Sequence, residues 1–202
     1  MPYIKKINNY EIMDENARNR IAELEELILD ISGYRYEPSN DDIPTIFLSG
    51  GFLPTTKDYT KLKMRYVSKT LQFDCYVNIK CQGTSSMAYP KKNFSIRTFE
   101  DEELSKELKL NFKGWGEQYK FVLKANYIDL THARNIVSSR LWAKCVKARS
   151  NFKQLPQELK DSPGLGTIDG FFVKVYHEGL YQGRYTFNIP KDPWMTNMDE
   201  DK

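Results

Sequence analysis

The chain has 202 residues, of which 40% are hydrophobic and 13% aromatic, so it can bury one substantial core and is not a disordered protein. Its 30 basic and 27 acidic residues give a net charge of +3 without an evident basic face, so no nucleic-acid partner is expected. Three cysteines without a C-x-x-C pair and two histidines argue against a disulfide framework and a metal site. No stretch approaches the roughly 18 apolar residues of a membrane span, so no membrane insertion is expected.

Residues 14–31 are predicted to form one helix that mediates self-association. Its apolar residues are spaced alternately by four and three positions, as in a coiled-coil seam. The seam consists of Ala17, Ile21, Leu24, Ile28 and Ile31. Isoleucine at one core position with leucine or isoleucine at the other favours more than two strands, so we expect a homotrimer. The alternative is an amphipathic helix that packs on its own domain.

A polar stretch at residues 37–42 is predicted to be a linker between an N-terminal attachment and oligomerising helix (1–36) and a larger domain (43–202). Residues 7–21 read Ile-Asn-Asn-Tyr-Glu-Ile-Met-Asp-Glu-Asn-Ala-Arg-Asn-Arg-Ile. This segment resembles the start of tail-fibre and baseplate proteins from phages of low-GC Gram-positive bacteria. The resemblance implies a virion tail protein that is assembled in the host cytoplasm and has other tail or baseplate proteins as partners.

The larger domain is predicted to contain paired strands and one long helix. The strands are expected at residues 43–48, 59–67, 73–80, 93–98, 119–124, 171–176 and 184–189, and the helix at 130–147. Residues 100–110 are charged and helix-prone, and residues 149–167 read as a surface connection. The pattern predicts an α+β fold, an antiparallel sheet of hairpins with one long packed helix, preceded by the N-terminal coiled-coil helix.

The connection between the strands at 73–80 and 93–98 contains the parts of a phosphate-binding hairpin. A glycine can crowd backbone amides toward one point, hydroxyls add donors, and lysines supply positive charge. These residues are Gly83, Thr84, Ser85, Ser86, Lys91 and Lys92. Adjacent strand residues face opposite sides, so only one of the two lysines can point into a cleft, and the sequence leaves open which one. The alternative is a solvated hairpin tip with two exposed lysines.

Three polar residues near the start of the predicted helix are further candidates. Asp129 can cap the free amides of the first helical turn, with Arg134 bracing the loop. The alternative is functional: Asn126, Asp129 and Arg134 would face a phosphate or metal near the lysine hairpin. The sequence does not decide between a cap and a ligand site.

Several of these segments together resemble the spore-coat CotH kinase-like family. Gly83-Thr-Ser-Ser with Tyr89-Pro-Lys-Lys-Asn-Phe94 is similar to the family's signature hairpin. Phe121-Val-Leu-Lys-Ala-Asn126, Asp129-Leu-Thr131, Arg134-Asn135 and Tyr181-Gln-Gly-Arg-Tyr185 follow in the family's order. The resemblance runs from about residue 43 onward and implies the N-terminal lobe of an atypical kinase-like fold. Some members phosphorylate proteins with ATP and a divalent metal.

The chain departs from that family near its end. In the family pattern, the catalytic and metal-binding aspartates come from a second lobe downstream of the last hairpin, and Asp192, Asp199 and Asp201 match no such motif. We therefore expect no catalytic residue, no metal site and no cofactor in this sequence, and weak or absent ATP binding. The leading hypothesis is a non-catalytic structural component of a phage tail tip, baseplate or fibre. The alternative is an ATP- and magnesium-dependent protein kinase whose metal-binding aspartates lie beyond residue 202.

Overall fold

A computed structural model describes residues 43–197, in which seven strands form a closed barrel. The strands are β1 (Thr45–Ser49), β2 (Thr60–Val67), β3 (Gln72–Gln82), β4 (Asn93–Phe99), β5 (Lys120–Lys124), β6 (Gly170–His177) and β7 (Leu180–Asn188). Two α-helices, α1 (Arg134–Lys147) and α2 (Gln157–Lys160), lie between β5 and β6. No described helix has the length and apolar character needed to cross a membrane.

The barrel closes through strand pairs that are distant in sequence. From β1 to β5 each strand pairs antiparallel with the next, and β5 then pairs with β7. The last hairpin joins β7 to β6, and β6 pairs with β1 in the one parallel ladder among the described strands. The Lys174–His177 segment of β6 thereby lies beside the Thr45–Leu48 segment of β1.

Alternating apolar residues of the strands fill the barrel. In β3, for example, Cys75, Val77, Ile79 and Cys81 are buried while the residues between them are more exposed. This period of two is the pattern of a strand with one buried face. Phe112, from the loop between β4 and β5, joins the core and packs with its ring centroid 5.2 Å from those of Tyr66 and Phe187.

The predicted fold class is wrong, although strands were expected close to where the structure has them. The sheet is not an open set of hairpins covered by a helix, because the β1–β6 and β5–β7 pairs close it into a barrel. Helix α1 buries only Ile136, Ser139 and Val146, while Val137 and Leu141 are about three-fifths exposed (60% and 61%). The predicted coiled-coil helix, its seam from Ala17 to Ile31 and the linker at 37–42 lie outside the described residues.

The charged segment 100–110 is not helical. The Asp101 carboxylate accepts hydrogen bonds from the backbone amides of Ser105 (2.8 Å) and Lys106 (2.7 Å), which closes a tight turn. The chain then runs beside β4, with Glu107 bridged to Phe99. An aspartate that bonds nearby amides competes with helix formation, and here this local bonding prevails over the helical propensity of the charged residues.

Candidate functional site

The loop between β3 and β4 is shaped by a glycine. Gly83 has a φ of +112°, and a Cβ at this position would lie 2.1 Å from Oγ of Ser86. Only glycine combines that backbone angle with so close an approach. Residues Ser85–Ala88 form a single 3-10 turn, and Asn93 at the start of β4 donates its amide to Oγ of Ser86 (3.1 Å).

The paired lysines of this hairpin have different roles. Lys92 donates from Nζ to the carbonyls of Met87 (2.6 Å) and Tyr89 (2.7 Å), so it braces the loop from within. Lys91 points the other way, donates to the Arg184 carbonyl on β7 (2.5 Å) and lies 4.2 Å from the Tyr185 ring centroid. Burial lowers the pKa of Lys91 from its ordinary 10.5 to about 8, because desolvation penalises the charged form.

The loop before α1 is organised by Asp129. Its two carboxylate oxygens accept hydrogen bonds from the Thr131 hydroxyl (2.7 Å) and from the Arg134 amide at the start of the helix (3.0 Å). These bonds, the Thr131 hydroxyl first, hold the pKa of Asp129 below its ordinary value. Asn126, at a positive φ of +47°, donates to Oγ1 of Thr186 on β7 (3.1 Å) and so ties the loop to the barrel.

A cleft of about 530 Å³ lies between this loop and the lysine hairpin, over β5 and β7. Of the residues expected at a phosphate site, Ser86, Lys91, Asn126, Asp129 and Arg134 line it. Gly83, Thr84, Ser85 and Lys92 belong to the same hairpin and are not among the lining residues. The structure therefore assembles the hairpin and the loop before α1 around one cavity, with Lys91 as the hairpin lysine that faces it.

A family model described as CotH kinase protein matches residues 79–187 of the chain. The matched region begins within β3, ends within β7 and includes both the lysine hairpin and the Asp129 loop. The chain belongs to the CotH kinase protein family. The match lends no support to the phage-tail resemblance of residues 7–21, and no curated protein matches the chain.

The matched CotH region leaves out β1 and β2, which complete the barrel, and part of the cleft wall. Asn188 and Lys191 line the cleft just after the match ends. A fold that needs β1 to close onto β6 therefore extends on both sides of the CotH match.

Sequence reasoning missed several lining residues of the CotH cleft. They are Gln82, Tyr89, Asn93, Val122, Lys124, Tyr127, Ile128, Asn135, Ile168, Asn188, Ile189 and Lys191. For Lys124 a signal existed: Phe121 and Leu123 are interior residues, so Val122 and Lys124 belong to the opposite face of β5. For Lys191, which follows the last strand, only the three-dimensional structure places it in the cleft wall.

Lys124 is held in the cleft by a neighbouring amide. Its Nζ donates to Oε1 of Gln82 at 2.5 Å. Burial, and to a lesser extent the positive charge of Lys191, lower the pKa of Lys124 from its ordinary value. Both side chains line the cleft, and two positive charges in one cleft favour an anion beside them.

The mouth of the cleft carries an aromatic ledge, which we define as Tyr89 and Tyr127. Their rings are stacked with centroids 5.2 Å apart and an interplanar angle of 25°. Tyr127 is 47% exposed, and the adjoining Ile128 is 73% exposed. A flat, partly exposed surface of this kind is able to stack against a planar ring of a ligand.

The charges of the cleft favour anions. Lys91, Lys124, Arg134 and Lys191 line it, and Asp129 is the one carboxylate among the described lining residues. The Asp129 carboxylate already accepts a hydrogen bond from the Arg134 amide at the start of α1, and its Oδ1 lies 3.5 Å from Nε of Arg134. The described residues contain no group of three or more His, Cys, Asp or Glu side chains placed to hold a metal ion. The residues present thus fit a phosphate group and do not fit the divalent metal that the family resemblance implies.

Proposed function

We propose that the barrel domain binds the phosphate groups of a nucleotide, with ATP as the expected ligand, and acts as the nucleotide-binding lobe of a CotH-family protein. The observation that carries this proposal is the cleft itself: four cationic side chains converge on about 530 Å³, and their one carboxylate neighbour is engaged in capping α1. The family match is compatible with ATP as the ligand.

Under this proposal, different parts of the ligand contact different parts of the cleft. Charge-assisted hydrogen bonds from Lys91, Lys124 and Arg134 would hold the phosphates. The aromatic ledge of Tyr89 and Tyr127 would stack against the base, an interaction worth about 1–3 kcal/mol per base in other proteins. The sequence predicts weak or absent ATP binding, and the proposal departs from that expectation because four cationic side chains line the cleft and can neutralise the phosphates.

A calorimetric titration series tests the phosphate assignment. The full chain should bind ATP more tightly than ADP, ADP more tightly than AMP, and adenosine most weakly, because each phosphate adds contacts to the cations. Lys124→Met should weaken ATP binding by about tenfold, the equivalent of about 1.4 kcal/mol. The control is Lys57→Met, which removes an exposed lysine outside the cleft and should change nothing.

Two results would overturn the nucleotide proposal. One is equal affinity for ATP and adenosine, which would remove the role of the phosphates. The other is ATP binding that Lys124→Met and Lys91→Met leave at the wild-type level, which would place the ligand elsewhere on the protein.

Phosphoryl transfer requires more than this cleft. It needs metal-held phosphates and a residue that positions the nucleophile, and the described residues form no metal-binding group. We propose that the 202-residue chain binds nucleotide without transferring phosphate by itself. A protein kinase reaction, the alternative function, would depend on metal-binding aspartates beyond residue 202. Transfer of radiolabelled phosphate by the full chain to a protein acceptor would contradict the non-catalytic proposal.

A structural role in a phage tail remains a second proposal, supported by the sequence of residues 1–36. The spacing of Ile21, Leu24, Ile28 and Ile31 underlies the expected homotrimer, the tail or baseplate partners and a location in the virion. Sedimentation of the full chain against a chain starting at Ile43 tests the first step. We expect a trimer that becomes a monomer on truncation, and the same number of subunits in both would remove the coiled-coil argument.

A further inference from the structure

We infer that the cleft binds its polyphosphate ligand as the free anion, so that Mg²⁺ weakens binding instead of strengthening it. The inference rests on the proposed function and concerns the ionic form of the ligand. It departs from the family resemblance, which implies a nucleotide bound together with a divalent metal.

Three of the lining side chains that could offer an oxygen atom to a metal already use their oxygens as hydrogen-bond acceptors. A hard divalent cation prefers carboxylate and carbonyl oxygens. Oε1 of Gln82 accepts from Lys124 at 2.5 Å, and Oδ1 of Asn93 accepts from the Ala125 amide at 2.8 Å. Both carboxylate oxygens of Asp129 accept bonds from the helix start and from Thr131. Binding a metal at these atoms would require breaking the contacts that hold the cleft together.

The cationic side chains add an electrostatic argument. Burial first, and then the positive charge of Lys191, lower the pKa of Lys124. A divalent cation placed among these positive side chains would be repelled by them. Mg²⁺ on the nucleotide would also occupy phosphate oxygens that the lysines and Arg134 would otherwise contact. The cleft and the metal therefore compete for the same ligand atoms.

The test is a pair of calorimetric titrations of the full chain with ATP, one in excess EDTA and one in excess MgCl₂ at matched ionic strength. We expect binding to be about tenfold tighter in EDTA, which corresponds to about 1.4 kcal/mol. Inorganic tripolyphosphate should show the same preference, since the effect belongs to the phosphates. MgCl₂ titrated alone should give no binding heat.

Variants separate charge competition from a general effect of the metal. Lys191→Met should weaken binding in EDTA more than in MgCl₂, and so narrow the difference between the two conditions. Lys57→Met, outside the cleft, should leave that difference unchanged.

The outcomes distinguish this inference from the proposed function. Tighter binding in MgCl₂, or equal binding in both conditions, would overturn the inference and leave nucleotide binding in place. No binding of ATP in either condition would overturn the proposed function, and this inference with it.

Discussion

Lys91 lines the cleft, and the free-energy cost of burying its positive charge depends on pH. Its pKa is about 8 in the folded protein and 10.5 in an ordinary environment, because burial disfavours the charged form. Between these values the unfolded chain holds more protons, so the contribution of Lys91 to stability rises with pH across this window. Below pH 8 the cost of burying the charge is present in full.

The prediction is that Lys91→Met loses stability relative to the wild type as the pH rises from 8 to 10.5. Urea unfolding of both proteins across this range measures the difference, and other titrating groups cancel because both proteins share them. A difference that stays constant with pH would show that Lys91 keeps its ordinary pKa in the folded state.

ATP affinity should fall as the pH rises through about 8, because Lys91 then loses its charge.

Gly183 on β7 makes room for Lys91. It has a φ of +101°, and a Cβ there would lie 3.0 Å from Nζ of Lys91. Gly183→Ala should therefore lower the free energy of unfolding by about 1–3 kcal/mol from backbone strain, plus the cost of displacing the lysine. Gly116→Ala is the matched control: its φ is +97°, and its nearest contact, Trp194, is an ordinary 3.7 Å away. Equal losses in the two variants, measured by denaturant unfolding, would contradict the lysine contact.

Asp129 supports the first turn of α1 as the element's cap. Its pKa is lowered first by the Thr131 hydroxyl and then by backbone bonds that include the Arg134 amide. A depressed folded-state pKa adds stability that is present above the ordinary value of 3.8 and is lost as the pH falls through the folded value. Asp129→Asn should remove this part of the acid dependence, which thermal unfolding measured from neutral pH to below 3.8 would show.

Thr131→Val refines the same test, because it removes the bond with the largest effect on Asp129. It should move the acid transition toward the ordinary carboxyl pKa without abolishing it. Asp101, whose pKa is also lowered, titrates in all three proteins and cancels in the comparison. Identical acid profiles for the wild type and Asp129→Asn would contradict the cap.

At the level of elements, the sequence predicted what is encoded locally. Alternating buried residues such as Val77 and Ile79 predicted β3. The helix was expected at residues 130–147, and α1 begins at Arg134. The prediction that residues 100–110 are helix-prone failed because the Asp101 carboxylate bonds nearby backbone amides and closes a turn instead. The closed barrel was not predicted, because the β1–β6 and β5–β7 pairs join strands that are distant in sequence. Nothing in the sequence of either strand identifies its partner.

The candidate site follows the same division. Ser86 and Lys91 came from one hairpin, and Asn126, Asp129 and Arg134 from one loop, so local motifs were enough to nominate them. Lys191 and Asn188 enter the cleft only because the last strand lies beside β5. The choice between Lys91 and Lys92 depended on the carbonyls of Met87 and Tyr89, which hold Lys92 inside its own loop.

At the scale of the whole molecule, an aromatic cluster around Phe112 joins the strands of the core. Phe112 is 6% exposed and packs against rings from five strands, those of Tyr66, Phe73, Phe121, Phe171 and Phe187. Phe112→Ala should lower the free energy of unfolding by about 3–5 kcal/mol, because it leaves a cavity where these rings meet. Phe52→Ala, at a position that is 89% exposed, should change it by less than about 0.5 kcal/mol. Similar effects in chemical denaturation would contradict the packing role.

The parallel seam between β1 and β6 has a consequence for how the protein is made. Leu48 pairs with His177, 129 positions later (177 − 48). At about 5–20 residues per second, translation takes roughly 6–26 seconds to cover that distance. During this interval one side of β1 has no neighbour on the nascent chain, and unpaired strand edges invite aggregation. Chaperone contact with β1 at the ribosome should therefore end only after the last hairpin has emerged.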